Sequence, residues 1–195
     1  MQNINLSIYN KIILIGASTG GPGQIEKIIQ IIPNLNSTII IIAQHMARGF
    51  ITSFASHLQN CSLNPIELAQ NNQSLKNGYI YLCSGFTRVE EKNSQLYFIQ
   101  EESPDNGYNP NINLIFNSFV PFSKNLDILS IILTGIGDDG VEACKALSLN
   151  SARCLTESQE SAIVDGMPHR ARILVPNIKV LDINSIALNV KEFCL

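Results

Sequence analysis

Residues 11–22 read KIILIGASTGGP, an apolar run of strand length that ends in a glycine-rich turn and leads into a segment of helical period. The same succession recurs at residues 37–43, where a second apolar run precedes a helical segment over Gly49–Asn60. Apolar strands that alternate with helices are typical of a parallel sheet wrapped by helices. We therefore predict an α/β fold, a doubly wound and mostly parallel sheet with helices on both faces.

The other predicted elements follow the same periodicity. Strands are predicted at Lys11–Gly16, Ser37–Ala43, Ile128–Leu133 and Ala152–Thr156, and helices at Pro22–Ile32, Gly49–Asn60, Asp139–Leu149 and Asp182–Phe193, with one more after the polar stretch Glu101–Asn111 that ends at Phe119. Four short alternating runs, separated by turn residues, predict a β-hairpin insertion: Ile66–Leu68, Tyr79–Cys83, Thr87–Val89 and Leu96–Ile99. No linker divides the chain, so residues 1–195 are predicted to form a single domain.

Charge and composition disfavour several classes of protein. The formal net charge of -3 provides no broad basic field, which argues against nucleic acid as a partner. The longest apolar run, Ile39–Ala43, is too short to insert across a membrane, and the first ten residues lack the pattern of a secretory signal. The 5 cysteines show no C-x-x-C pairing, so neither a disulfide framework nor a zinc site is indicated. We expect a cytoplasmic protein without metal or cofactor.

Three predicted strands end in polar turns, which contain Ser18, His45 and the pair Asp138 and Asp139. Because the carboxyl ends of parallel strands meet at one edge of a sheet, we expect these side chains to converge. A serine hydroxyl becomes a good nucleophile when a histidine takes its proton and a carboxylate orients that histidine. The residues therefore predict a serine hydrolase site, and the residue pattern leaves the choice of aspartate open. The N–H of Thr19, at the start of the next helix, is a candidate oxyanion donor.

Each of these residues also has a structural interpretation. A glycine-rich turn such as Gly16–Gly20 can also bind the phosphates of a nucleotide. The chain lacks the complete nucleotide-binding motifs G-x-G-x-x-G and G-x-x-x-x-G-K-S/T, which disfavours a nucleotide-binding domain. His45 taken alone is more often structural, and either aspartate could cap the following helix. His57, on a predicted helix, and His169, in a predicted loop after Pro168, are predicted to be surface or structural residues. The chain order serine, histidine, acid disfavours the α/β-hydrolase fold, whose acid precedes the histidine.

Five segments of the chain resemble, in the same order, the catalytic domain of the CheB-type protein-glutamate methylesterases of bacterial chemotaxis. They are IGASTGGP around Ser18, QHMARGFITSFASHL from Gln44, GYIYLCSG from Gly78, ILTGIGDDG ending at Gly140 and DGMPHRA from Asp165. The resemblance implies that Ser18 is the nucleophile and that His45 is the general base and acid. The family pattern G-x-D-G selects Asp139 as the orienting carboxylate. The backbone around Thr19 and Ile136 is implied to supply the oxyanion contacts.

The activity implied by this resemblance is hydrolysis of glutamate γ-methyl esters on the cytoplasmic helical region of methyl-accepting chemotaxis receptors. The implied reaction releases methanol through an acyl-enzyme on Ser18 and needs no cofactor. Members of the family also deamidate receptor glutamines. Two rival hypotheses remain, namely a serine hydrolase of other specificity on the same triad and a non-catalytic receptor-binding module that has kept the fold.

The sequence departs from the family pattern at several places. Members often bear an amino-terminal receiver domain, whereas about ten residues precede the first strand here, so we expect a stand-alone catalytic domain that is constitutively open. Ile136 stands where methionine is usual, which backbone donation tolerates. Asn113 stands where aspartate is usual, and residues 83–89, CSGFTRV, lack the glycine pair and histidine common in relatives. The latter two changes are expected to affect receptor docking.

Overall fold

The computed structural model describes Leu6, residues 9–101 and residues 109–195. Its strands are β1 (Lys11–Ala17), β2 (Thr38–Gln44), β3 (Ile66–Leu68), β4 (Ile80–Leu82), β5 (Phe86–Lys92), β6 (Gln95–Glu101), β7 (Asp127–Ile132), β8 (Arg153–Glu157) and β9 (Lys179–Leu181). Its helices are α1 (Gly21–Ile29), α2 (Arg48–Cys61), α3 (Ile112–Asn117), α4 (Val141–Leu149), α5 (Gly166–Leu174) and α6 (Ile183–Cys194), with a 3₁₀ turn at Val120–Phe122. The polar stretch predicted over Glu101–Asn111 falls mainly on residues 102–108, which lie outside the described residues.

Seven strands of the described chain form one parallel sheet in the order β3-β4-β2-β1-β7-β8-β9. The strand β1 is central, because Ile13 pairs with Ile40 of β2 on one side and with Leu129 of β7 on the other. After β1, the chain first adds β2, β3 and β4 on one side of β1 and later adds β7, β8 and β9 on the other side. The direction of winding therefore reverses between β1 and β7. In open parallel sheets, ligands bind outside the carboxyl ends of the strands at such a reversal.

Alternate side chains of β1 enter two separate apolar cores. Ile12 and Leu14 pack with residues of α3, α4 and α5, whereas Ile13 and Ile15 pack with residues of α1, α2 and α6. All four side chains are completely buried, and burial of each contributes about 1.5–3 kcal/mol to the hydrophobic stabilisation. A strand covered on both faces needs a continuous apolar run rather than an alternating one. The prediction of a doubly wound sheet with helices on both faces is confirmed.

The hairpin insertion is smaller than the sequence predicted. Of the four short runs, β3 and β4 belong to the parallel sheet, where Ile66 pairs with Ile80 and Ile80 pairs with Ile40. Among the described residues, only β5 and β6 form the antiparallel hairpin, with Val89 opposite Phe98. Both β3 and β4 have only three residues, too few to show whether the apolar pattern alternates or is continuous.

Several other boundaries also differ from the prediction. The first helix ends at Ile29 rather than Ile32, and α4 begins at Val141, so Asp139 precedes this helix. His169 lies in α5 rather than in a loop, because Pro168 is in the first turn of that helix, where its missing N–H costs no intrahelical hydrogen bond. The strand β9, which was not predicted, is a short and mostly exposed edge strand. No helix within the described ranges combines the length and apolar character that a bilayer crossing requires.

Candidate active site

Ser18 lies directly after the carboxyl end of β1, in the turn that leads into α1. The N–H of Ser18 donates to the Thr134 carbonyl at 3.0 Å, and its own carbonyl accepts from the Gly21 N–H at 2.9 Å. Gly20 has φ of 83°, a left-handed conformation that favours glycine. The turn is therefore held on both sides, and it leaves Ser18 half-buried at the edge of the sheet.

His45 contacts Ser18 and Asp139 through its two ring nitrogens. Nδ1 lies 3.2 Å from Ser18 Oγ, and Nε2 lies 2.8 Å from Asp139 Oδ2. The backbone N–H of His45 donates to the Ala17 carbonyl at 2.9 Å, which holds the end of β2 against the end of β1. When Nε2 carries the proton, it donates to the carboxylate, and Nδ1 is left as the acceptor for the serine hydroxyl. Either nitrogen of an imidazole can act as the base, so this ring orientation supports general base chemistry.

The carboxylate of Asp139 is buried, with 2% of the residue exposed. Besides the contact with His45, Oδ2 accepts from the Ile112 N–H at 2.8 Å and Oδ1 accepts from the Asn113 N–H at 3.0 Å. Both amides are in the first turn of α3, where N–H groups lack intrahelical partners. Asp138 is exposed. The fold thus brings Asp139, and not Asp138, to His45. Neither aspartate caps α4, because the N-cap of that helix is Gly140.

Gln44 is a site residue that the sequence analysis missed. Its side chain is buried, and Nε2 donates to the carbonyls of Ser18 and His45, each at 2.8 Å. One amide therefore joins the two turns that bear the serine and the histidine. A Cβ on Gly21 would collide with Oε1 of Gln44, which explains why glycine occupies the start of α1. The available signal was a polar residue at the end of an otherwise apolar strand.

Of the two predicted oxyanion residues, Thr19 directly follows Ser18, and Ile136 lies in the loop after β7. Thr19 is exposed, and Ile136 is 64% exposed. The loop that bears Ile136 passes against the serine, since a Cβ on Gly135 would lie 2.6 Å from Ser18 Cβ. This loop is anchored by the Met167 N–H, which donates to the Gly135 carbonyl at 2.8 Å. Within the described residues, the backbone N–H groups of Thr19 and Ile136 donate to no backbone carbonyl.

The other candidate groups lie apart from this arrangement. His57 is on α2 with its Nε2 3.0 Å from Glu26, and His169 is exposed on α5. All five cysteines are free, and burial raises the pKa of the Cys83 thiol well above its ordinary value. In the ranges that the structure describes, no group of three or more histidine, cysteine, aspartate or glutamate side chains is placed to hold a metal ion.

The fold and these contacts define a parallel α/β protein with a serine–histidine–aspartate arrangement at the switch point of the sheet. Residues 13–190 match the family model described as CheB methylesterase, and the chain belongs to this family. The family resemblance and the fold class predicted from the sequence are thus confirmed.

Known relatives agree with this membership. The protein-glutamate methylesterase/protein-glutamine glutaminase of group 3 operon from Rhizobium meliloti is 32% identical over 179 residues, which cover 92% of this chain and 50% of that protein. A protein-glutamate methylesterase/protein-glutamine glutaminase from Oceanobacillus iheyensis is 35% identical over 165 residues, 82% of this chain and 47% of that protein. The crystal structure of the Thermotoga maritima CheB methylesterase catalytic domain matches with a TM-score of 0.86 at 26% identity, over 95% of this chain and 99% of that chain. The chain spans about half the length of the curated relatives it matches.

Proposed function

We propose that this chain is a protein-glutamate methylesterase that hydrolyses glutamate γ-methyl esters on methyl-accepting chemotaxis receptors. The observation that carries the proposal is the hydrogen-bonded series from Ser18 through His45 to Asp139, with distances of 3.2 Å and 2.8 Å. The names of the relatives support the substrate class, and their second activity supports deamidation of receptor glutamines by the same site.

In the acylation step, His45 Nδ1 takes the proton of Ser18 Oγ as that oxygen attacks the ester carbonyl carbon. The carbonyl oxygen becomes an oxyanion and accepts hydrogen bonds from the N–H groups of Thr19 and Ile136, and one such donor is worth about 3 kcal/mol in the transition state. The tetrahedral intermediate collapses as His45 returns the proton to the methoxy oxygen. Methanol leaves, and the receptor glutamate is held as an ester on Ser18.

Deacylation repeats these steps with water as the nucleophile. His45 removes a proton from water, the hydroxide oxygen adds to the acyl carbon, and the proton is returned to Ser18 Oγ. The product is a receptor carboxylate, so each turnover restores one negative charge. For a glutamine side chain, ammonia leaves in place of methanol. The carboxylate of Asp139 accepts from Nε2 of His45 and stabilises the imidazolium.

Substitution of the triad, with matched controls, tests the proposal. The measurement is methanol released from radiolabelled, methylated receptor membranes by the parent, Ser18→Ala, His45→Gln and Asp139→Asn. We expect kcat to fall by about 10³-fold or more in each variant, because the triad acts as a unit. The controls Ser56→Ala, His57→Gln and Asp138→Asn change exposed residues of the same types and are expected to retain the parental rate.

Two outcomes favour the rival hypotheses. A parent that binds receptor membranes but releases no methanol is a non-catalytic binding module. A parent that cleaves simple esters and ignores receptors is a serine hydrolase of other specificity.

We also propose that residues 1–195 act as one cytoplasmic catalytic domain that is constitutively open. The exposure of Thr19 and Ile136 beside Ser18 supports an accessible site. Methanol release by the purified chain is expected to be the same with and without the chemotaxis kinase and its phosphodonor. Stimulation by phosphorylation contradicts this proposal.

A further inference from the structure

Glu157, the last residue of β8, is a completely buried carboxylate that the proposed reaction does not use. Its Oε2 accepts from the Thr134 N–H at 2.7 Å. Its Oε1 accepts from Gln24 Nε2 at 2.8 Å and from Ser161 Oγ at 3.0 Å. The carboxylate therefore joins three parts of the fold, namely the end of β7, the helix α1 and the loop that follows β8.

Thr134 connects this carboxylate to the backbone of the active site. The Thr134 carbonyl accepts from the Ser18 N–H at 3.0 Å, and the Thr134 hydroxyl lies 2.9 Å from the Thr19 carbonyl, to which it donates. The residue that Glu157 binds thus holds the peptide group that precedes Ser18 and the peptide group that follows Thr19. Gln24 provides a second connection, because α1 begins directly after the turn that contains Ser18 and Thr19.

An ionised carboxylate is costly to bury at this position. Burial raises the pKa of Glu157 above its ordinary value, and the hydrogen bonds from Thr134, Ser161 and Gln24, together with the charge of Lys27, offset only part of that effect. Burial of a charged group costs free energy, which its hydrogen bonds must offset. Fold stability alone therefore gives a weak reason for a carboxylate here, whereas an active site needs its reacting groups held within about 0.5 Å.

We propose that Glu157 is a positioning residue that holds Thr134, and through it the peptide groups that precede Ser18 and follow Thr19, in the geometry needed for attack and oxyanion binding. The inference rests on the proposed function and deepens it. Glu157 does not touch the substrate, so its contribution belongs to the chemical step rather than to receptor binding.

Steady-state kinetics of methanol release separate these contributions. We expect kcat to fall by about 10- to 100-fold in Glu157→Ala, with KM within about twofold of the parent, since a misplacement of about 1 Å can cost 10²-fold in rate. Glu157→Gln keeps one oxygen that can accept from the Thr134 N–H, so its kcat is expected to lie between those of the parent and the alanine variant. The control Glu160→Gln changes an exposed glutamate of the same loop and is expected to match the parent.

A double-mutant cycle tests the route through Thr134. Thr134→Val removes the hydroxyl that donates to Thr19, and we expect its effect on kcat to be non-additive with that of Glu157→Gln. Urea unfolding of every variant identifies losses caused by unfolding. The proposal is overturned if kcat is unchanged in folded Glu157→Ala, if KM rises instead, or if the effects of the two substitutions add.

Labelling of Ser18 by a fluorophosphonate distinguishes failure of this inference from failure of the proposed function. The reagent needs only an activated serine, so the parental labelling rate is expected to fall in Glu157→Ala even if receptors prove not to be substrates. Equal labelling rates in the folded variant and the parent overturn the positioning role. No labelling of parental Ser18 overturns both proposals.

Discussion

At the scale of single residues, the proposed active site depends on several positions that have no part in the chemistry. Gln44 is an example, because its amide joins the carbonyls of Ser18 and His45 and a neighbouring glycine leaves room for it. Such positions determine the distance between Ser18 Oγ and the imidazole. Substitution of such a residue is expected to lower the rate of the proposed reaction even when the protein still folds.

Gly135 provides a test of this close packing. An added methyl would lie 2.6 Å from Ser18 Cβ and would also collide with Met167, so Gly135→Ala must displace the serine or the loop. We expect kcat for methanol release to fall about 10²-fold. The control is Gly23→Ala in α1, where nothing lies within 4 Å of an added Cβ. That variant is expected to keep full activity and to gain about 0.5 kcal/mol of unfolding free energy. Parental activity in Gly135→Ala contradicts the packing argument.

The raised pKa of Glu157 also predicts how stability depends on pH. Its pKa in the folded state lies above the unfolded value, so between these two values the native state binds more protons than the unfolded state. The free energy of unfolding is therefore expected to fall as pH rises through this window. The measurement is the urea midpoint of the parent minus that of Glu157→Gln, taken from pH 4 to pH 8. This difference is expected to fall as pH rises. A difference that is constant with pH contradicts the prediction.

At the scale of elements, α3 and α4 cap each other across the site. Asp139, just before α4, accepts from the first amides of α3, and Asn113 Oδ1, in the first turn of α3, accepts from the Ala143 N–H of α4 at 3.0 Å. The N-cap of α4 is Gly140, which has no side chain to perform this role. Asn113 therefore has a structural role in orienting the segment that bears Asp139.

Removal of this cap is expected to destabilise the protein. Asn113→Ala should lower the free energy of unfolding by about 1 kcal/mol, as the loss of a helix cap does elsewhere. Asn113→Asp keeps an acceptor oxygen and is expected to retain the parental stability. Asn117→Ala, at an exposed position of the same helix, is the control. Urea denaturation measures all three, and equal midpoints for Asn113→Ala and Asn117→Ala contradict the role assigned to Asn113.

Sequence patterns predicted the elements with long apolar runs better than the short ones. The helix predicted to begin at Asp182 is α6, and the Asp182 side chain caps it by accepting from the backbone N–H groups of Asn184 and Ser185, a contact made within four residues of the chain. In contrast, β3 was assigned to the hairpin, because its three residues show no periodicity and its place in the sheet depends on its pairing with β4.

At the scale of the whole molecule, the sheet is covered on both faces, and its interior thiols should react only when the protein opens. Cys83 is completely buried, and burial raises the pKa of its thiol. Half-buried Cys61, near the end of α2, is expected to react with a thiol reagent at least tenfold faster than Cys83 at pH 8, and in denaturant the two rates should converge. Mass spectrometry of the labelled peptides provides both rates. Equal rates in the native protein contradict the buried position of Cys83.

The sequence by itself determined the α/β class, the central strands and the polar turns that contain Ser18 and His45. These features are local, since each depends on an apolar run and the few residues that follow it. The residue pattern left Asp138 and Asp139 as alternatives, and the family resemblance selected Asp139. The ring orientation of His45 and the roles of Gln44, Asn113 and Glu157 were decided by the tertiary structure alone. Those contacts join residues 26, 30 and 133 positions apart in the chain, and only the packing of strands and helices brings such distant groups within hydrogen-bonding distance.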